Sequence, residues 1–144
     1  GISTEEGYRA YFNEILTSIR SFTNFDIYGH IDYVIRYSKT KDLNYCYGQY
    51  ADIFDPIIET LIANGKGIEI NTSGMRHPSH ATLPHLPIVM RYHELGGEIL
   101  TIGADSHRTD HVGWGLKEIT ELLPSMGITK LTTFKKRKPT FVEI

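Results

Sequence analysis

The chain has 144 residues and a mass of 16.4 kDa, a length that accommodates one domain. With 40% hydrophobic and 22% charged residues it has the balance of a packed globular protein, which excludes disorder as its main state. Fifteen Lys+Arg against seventeen Asp+Glu leave a formal net charge of -2, so no global basic field draws the chain to nucleic acid or to an anionic membrane.

In chain order, Ser3 and Glu6 have capping-box spacing, and Tyr8, Tyr11, Phe12, Ile15, Leu16 and Ile19 recur at helical intervals, which predicts an amphipathic helix. Residues 25–28 read as a short buried strand ending at Gly29-His30, and 33–37 as a loop or short helical turn. Residues 39–48 are polar and irregular. A second helix carries Tyr50, Ile53, Phe54, Ile57, Ile58, Leu61 and Ile62 on one face, with Pro56 in its first turns and Asn64-Gly65 as its end. Gly67-Ile68-Glu69-Ile70-Asn71 alternates as a strand, with Ile68 and Ile70 on one side and Glu69 and Asn71 on the other. Residues 72–85, with three histidines and two prolines, are expected to form a long functional loop. A helix is predicted over about 87–95 and an apolar strand over 99–102, which leads into Gly103-Ala104-Asp105-Ser106-His107. A further helix is expected over 112–126, a strand over 130–134 and a last strand over 141–144.

Alternating apolar strands and amphipathic helices imply an α/β fold with a parallel sheet. Three successive strands end in His30, in Asn71, and in Asp105 with His107. Active sites of parallel α/β folds lie at the carboxyl ends of the strands, so these ends should converge.

Seven histidines occur in the chain, six of them between His77 and His111. Asp105-Ser106-His107 sets a carboxylate and an imidazole one residue apart, a donor pair that suits Zn, Mn or Fe better than Mg or Ca. The plainer reading is a turn-capping aspartate beside a solvent-facing histidine. His30 has the same placement after an earlier strand, and its plainer reading is a half-buried ring bonded to backbone. Asp32 could orient His30 or cap the next turn. After Asn71, the small residues Thr72, Ser73 and Gly74 allow close approach of an anion, and the planar guanidinium of Arg76 suits bidentate binding of phosphate. Arg36 is a second cationic candidate. His77, His80 and His85 lack tight ligand spacing and are expected to line or cover the site. No nucleophile elbow and no dinucleotide fingerprint occur. The run 135–138 is expected to be a solvated loop. A single cysteine, Cys46, forms no internal disulfide, which fits a reducing compartment. With no apolar stretch of about 20 residues and no signal peptide, a cytoplasmic location is expected.

The stretches 25–32, 68–76 and 103–108, together with His111-Val112-Gly113, resemble in order the C-terminal half of the PHP-type histidinol-phosphatases, over nearly the whole chain. The resemblance implies part of a distorted seven-stranded (β/α) barrel of the TIM type. It implies up to three divalent metal ions at the carboxyl ends of the strands, and hydrolysis of L-histidinol phosphate to L-histidinol and phosphate in histidine biosynthesis. It makes His30, Asp105 and His107 metal ligands, Asp105 and His107 catalytic, and Arg76 with Arg36 the phosphate-binding residues. The family's N-terminal His-x-His, further histidines and bridging glutamate are not in this sequence, and Glu69 belongs to a different motif. The expectation is therefore a C-terminal PHP fragment, residues 1–144, that binds metal weakly, hydrolyses little alone and self-associates through its open side. The alternatives are another PHP phosphoesterase acting on nucleotides or nucleic acid, or a non-catalytic PHP-derived binding domain.

Overall fold

The computed structural model describes residues 3–38 and 45–144. The expected irregular stretch over 39–48 thus lies partly outside the described residues. The capping box forms: the Glu6 N–H donates to Ser3 Oγ at 3.2 Å and the Ser3 N–H to Glu6 Oε2 at 2.7 Å, and helix α1 runs Thr4–Ser21. Its buried Tyr8, Phe12, Ile15 and Ile19 form one stripe. That stripe packs on helix α2 (Ala51–Ala63), whose Ile53, Phe54, Ile57, Ile58 and Leu61 are buried. Phe12 is the hub of the contact, with its ring centroid 4.5 Å from that of Phe54 and 5.4 Å from that of Tyr50, and with Tyr8, Tyr11 and Tyr45 around it. Pro56 sits in the second turn of α2, where it removes one helical hydrogen bond that the buried face outweighs.

Strands β1 (Ile27–Tyr28), β2 (Gly67–Asn71) and β3 (Leu100–Gly103) form a parallel sheet in the order β1-β2-β3. The register pairs Ile27 with Gly67 and Asn71 with Gly103. Helix α2 carries the chain from β1 to β2, and helix α3 (Leu86–Glu94) carries it from β2 to β3. These are the crossovers that an α/β fold requires. Ile68 and Ile70 of β2 enter the core that α1, α2 and α3 share. Position 67 has room only for glycine, because a Cβ there would stand 2.3 Å from the Ile99 carbonyl oxygen. The barrel is not closed: the described residues supply three parallel strands, and β1 has no strand partner on its outer side.

Two expectations are corrected beyond β3. The helix expected over 112–126 is broken, because Gly113 and Gly115 adopt φ of +70° and +73°, which no helix interior allows. Only α4 (Leu116–Leu122) is α-helical, followed by a 3-10 turn at Leu123–Met126 that contains Pro124. The last two strands do not join the parallel sheet. They form an antiparallel hairpin of β4 (Lys130–Lys135) and β5 (Lys138–Glu143), and the basic run is its turn. One of those cations is used structurally, since Arg137 donates from Nε and Nη2 to the Asp26 carboxylate at 2.8 and 3.2 Å and from Nη1 to Asn24 Oδ1 at 2.7 Å. The same contact holds the Asp26 carboxyl below its usual range. The Leu100 N–H donates to Thr132 Oγ1 at 3.2 Å. The hairpin therefore meets the entry ends of β1 and β3 and leaves the carboxyl edge of the sheet clear. No helix among the described residues is long and apolar enough to cross a membrane.

Candidate functional site

Asn71 builds the site at the end of the central strand. Its backbone pairs with Leu83, its Oδ1 accepts from the Ser73 N–H at 2.9 Å, and its Nδ2 donates to Glu69 Oε2 at 3.1 Å. This Asx contact starts a 3-10 turn at Thr72–Arg76, in place of the irregular loop expected there. The turn carries Arg76 toward the end of β3. There Nη2 donates to the Ala104 carbonyl at 3.0 Å and lies 3.5 Å from that of Asp105. The Trp114 ring lies 5.4 Å from the guanidinium carbon. Nη1 of Arg76 and Oγ of Ser73 are both buried without a partner.

An open cleft of about 460 Å³ lies at this edge, lined by Tyr33, Arg36, Ser73, Arg76, Asp105, His107 and His111. Arg36, Arg76, Asp105 and His107 are thus brought together. His30 is not in the lining but rests against it, with its ring centroid 4.6 Å from that of Tyr33, over which Arg36 also lies. His30 and Asp105 take φ of +30° and +46°. Non-glycine residues held in that region are costly and concentrate at functional sites.

Imidazole and carboxylate are the right donors for a divalent ion of the zinc kind. The arrangement falls short of a site, however. No three His, Cys, Asp or Glu side chains cluster to hold a metal ion among the described residues. Asp105 Oδ1 and His107 Nδ1 stand 3.9 Å apart, and that nitrogen lies 2.9 Å from the Asp105 carbonyl oxygen. His30, Asp105 and His107 do not by themselves complete a metal centre.

Ser73 lines the cleft as its place among the small residues after Asn71 suggests, and so do His111 and Tyr33, the last of which its sequence position alone does not indicate. Glu69 is likewise more constrained than its place in the strand suggests. A Cβ at Gly103 would come 2.6 Å from Glu69 Oε1 and one at Gly29 3.3 Å from Oε2, so the carboxylate lies over backbone that two glycines leave bare. Those glycines, one directly after β1 and one at the end of β3, flank a glutamate on the face of β2 opposite Ile68 and Ile70, and they are the signal that the sequence carries.

Asp32 stands at the N-cap position of the turn Tyr33–Tyr37, as one of its two expected roles has it, but its side chain makes no cap hydrogen bond. Wholly buried, it accepts the His85 N–H at Oδ2 over 3.0 Å and so ties the segment after the cleft loop to the end of β1. The Tyr45 hydroxyl lies near enough to lower the pKa of the carboxyl, yet Asp32 Oδ1 and the Tyr45 oxygen both lack a well-directed partner. Burial prevails and pushes the Asp32 carboxyl up to about 7. The folded state then binds this proton more tightly than the unfolded chain does. The stabilisation is complete below the ordinary carboxylate pKa and is lost as pH rises toward 7. Urea unfolding of the native chain should show that loss between about pH 4 and pH 7, and Asp32→Asn should remove it. An unchanged slope in Asp32→Asn would refute the assignment.

A parallel sheet with helices packed on it, and two arginines gathered with polar side chains at its carboxyl edge, defines an α/β domain with a cleft at the place where such folds carry their sites. Comparison narrows the class. The PHP domain family model matches residues 2–73. The chain belongs to the PHP domain family. It is 32% identical over 92% of its length to a probable histidinol-phosphatase of Clostridium acetobutylicum, of which it covers 51%. It is 28% identical over 93% of its length to the histidinol-phosphatase of Lactococcus lactis, of which it covers 49%. The chain thus spans about half the length of the curated relatives it matches. A crystal structure of the Lactococcus lactis histidinol phosphate phosphatase, complexed with zinc, L-histidinol and phosphate, superposes over 96% of this chain and 52% of its own, with a TM-score of 0.80 at 26% identity. A Listeria monocytogenes structure, 22% identical with a TM-score of 0.68 over 79% of this chain and 44% of its own, has the same fold.

Proposed function

We propose that residues 1–144 form the C-terminal part of a PHP phosphoesterase whose parent activity is hydrolysis of L-histidinol phosphate to L-histidinol and phosphate. The observation that carries this reading is that Arg76, anchored at the Ala104 carbonyl, lines one cleft with Arg36 and Ser73. Two guanidinium groups in one cleft suit the non-bridging oxygens of a phosphate monoester. Arg76 and Arg36 bind those oxygens and offset their charge, and Asp105 with His107 forms the catalytic pair at the same edge. His30, Asp105 and His107 contribute some of the donors for divalent ions of the Zn, Mn or Fe kind, up to three in the complete site. Zinc, L-histidinol and phosphate in the Lactococcus lactis relative support this reading. The remaining donors come from a segment equivalent to the half of the relatives that this chain does not span.

The partner is a small phosphorylated metabolite of the cytoplasm, and a net charge of -2 supports no nucleic-acid role. The open side of β1, flanked by a groove that includes Ile19, Phe22, Phe25 and Tyr28, favours self-association. A strictly monomeric chain in light scattering would contradict that last point.

Calorimetric titration with L-histidinol phosphate and with AMP, run beside a phosphate-release assay with added Zn or Mn, tests the function. The expected result is tighter binding of L-histidinol phosphate with little turnover by this chain alone. Preference for the nucleotide would favour another PHP phosphoesterase, and binding of neither would favour a non-catalytic domain.

A further inference from the structure

We propose that Trp114 is the positioning residue of Arg76, holding its guanidinium in the orientation that receives the anion. The inference rests on the reading of the cleft as a phosphate site. Arg76 is restrained on two sides, by the Ala104 carbonyl at Nη2 and by the indole face 5.4 Å away. Of the five guanidinium N–H groups only those on Nη2 are engaged among the described residues, at the Ala104 carbonyl, so the restraint fixes the plane of the fork without spending its other donors. Lying over the guanidinium, the indole also removes water from one face of the cation, which strengthens the pull of those donors on an anion.

Trp114 can position another group because its backbone is fixed. Its carbonyl accepts from Thr72 Oγ1 at 2.6 Å, the same hydroxyl lies 3.3 Å from the Gly103 carbonyl, and its backbone N–H donates to the His111 carbonyl at 3.1 Å. Thr72 begins the turn that ends in Arg76, and Gly103 ends β3, so Trp114 is tied to both segments that meet at the cleft. The approach is close: a Cβ at Gly115, where φ is +73°, would stand 3.1 Å from Thr72 Cβ. The helix break at 113–115 thus sets the indole against Arg76. A continuous helix would not have this geometry.

Trp114 is the only tryptophan of the chain, so its fluorescence reports directly on the contact. The native chain, Trp114→Phe, Trp114→Leu and Arg76→Gln are titrated with inorganic phosphate by calorimetry, and the two that retain the indole also by fluorescence. Phosphate should shift the native emission saturably, with the calorimetric dissociation constant, and should leave Arg76→Gln unshifted. Trp114→Leu should bind about five- to tenfold more weakly, and Trp114→Phe, which keeps an aromatic face, should recover most of the loss. Phosphate binding that depends on Arg76 but is equal in Trp114→Leu would overturn the positioning role and leave the function standing. Binding indifferent to Arg76, or none, would overturn both. If Trp114→Leu does not fold, the native emission decides: no shift on phosphate binding overturns the role.

Discussion

Arg76→Gln should weaken binding of inorganic phosphate by about 10- to 100-fold, the cost of losing a charge-assisted donor at a desolvated site. Thermal stability should fall only modestly, because Arg76 contributes one hydrogen bond to a neutral acceptor, the Ala104 carbonyl at 3.0 Å. Calorimetric titration beside a melting curve checks both parts. A variant that binds phosphate like the native chain would remove Arg76 from the site. Arg36, which lies over Tyr33 with no carbonyl among the described residues to anchor it, should show a smaller loss in the corresponding variant.

Phe12→Ala should destabilise the fold by about 3–5 kcal/mol, measured by urea unfolding. Phe12 is fully buried and touches five aromatic rings from α1, α2 and the segment between β1 and α2. Its removal leaves a cavity that neighbours held on separate elements cannot collapse to fill. Because this cluster joins α1 to α2, its strength decides whether half of a barrel holds together. A loss below about 1 kcal/mol would mean that α1 is only loosely docked.

Local periodicity in the sequence is enough to place the main elements. The helical stripe Tyr8, Phe12, Ile15, Ile19 and the alternating strand of Ile68 and Ile70 rest on it, and both form as expected. The meeting of Arg36, Arg76, Asp105 and His107 is legible too, because parallel strands deliver their carboxyl ends to one edge. What periodicity cannot reveal is set by backbone conformation and by distant partners. Apolar spacing over 112–126 looks helical, yet Gly113 and Gly115 at positive φ break it and turn Trp114 toward Arg76. The closing hairpin depends on Arg137 reaching Asp26, a contact across 111 residues that no local pattern encodes. Asp32 stands two residues from His30, which makes the pair a natural expectation. Its actual partner, the His85 N–H, comes from 53 residues away.

A phosphate titration of the isotopically labelled chain followed by NMR tests the cleft most directly. Saturable shifts should concentrate on Ser73, Arg76, Asp105 and the Trp114 indole. Shifts concentrated instead on the basic hairpin turn at Lys135–Lys138, the other cationic surface of the molecule, would contradict a phosphate site in the cleft.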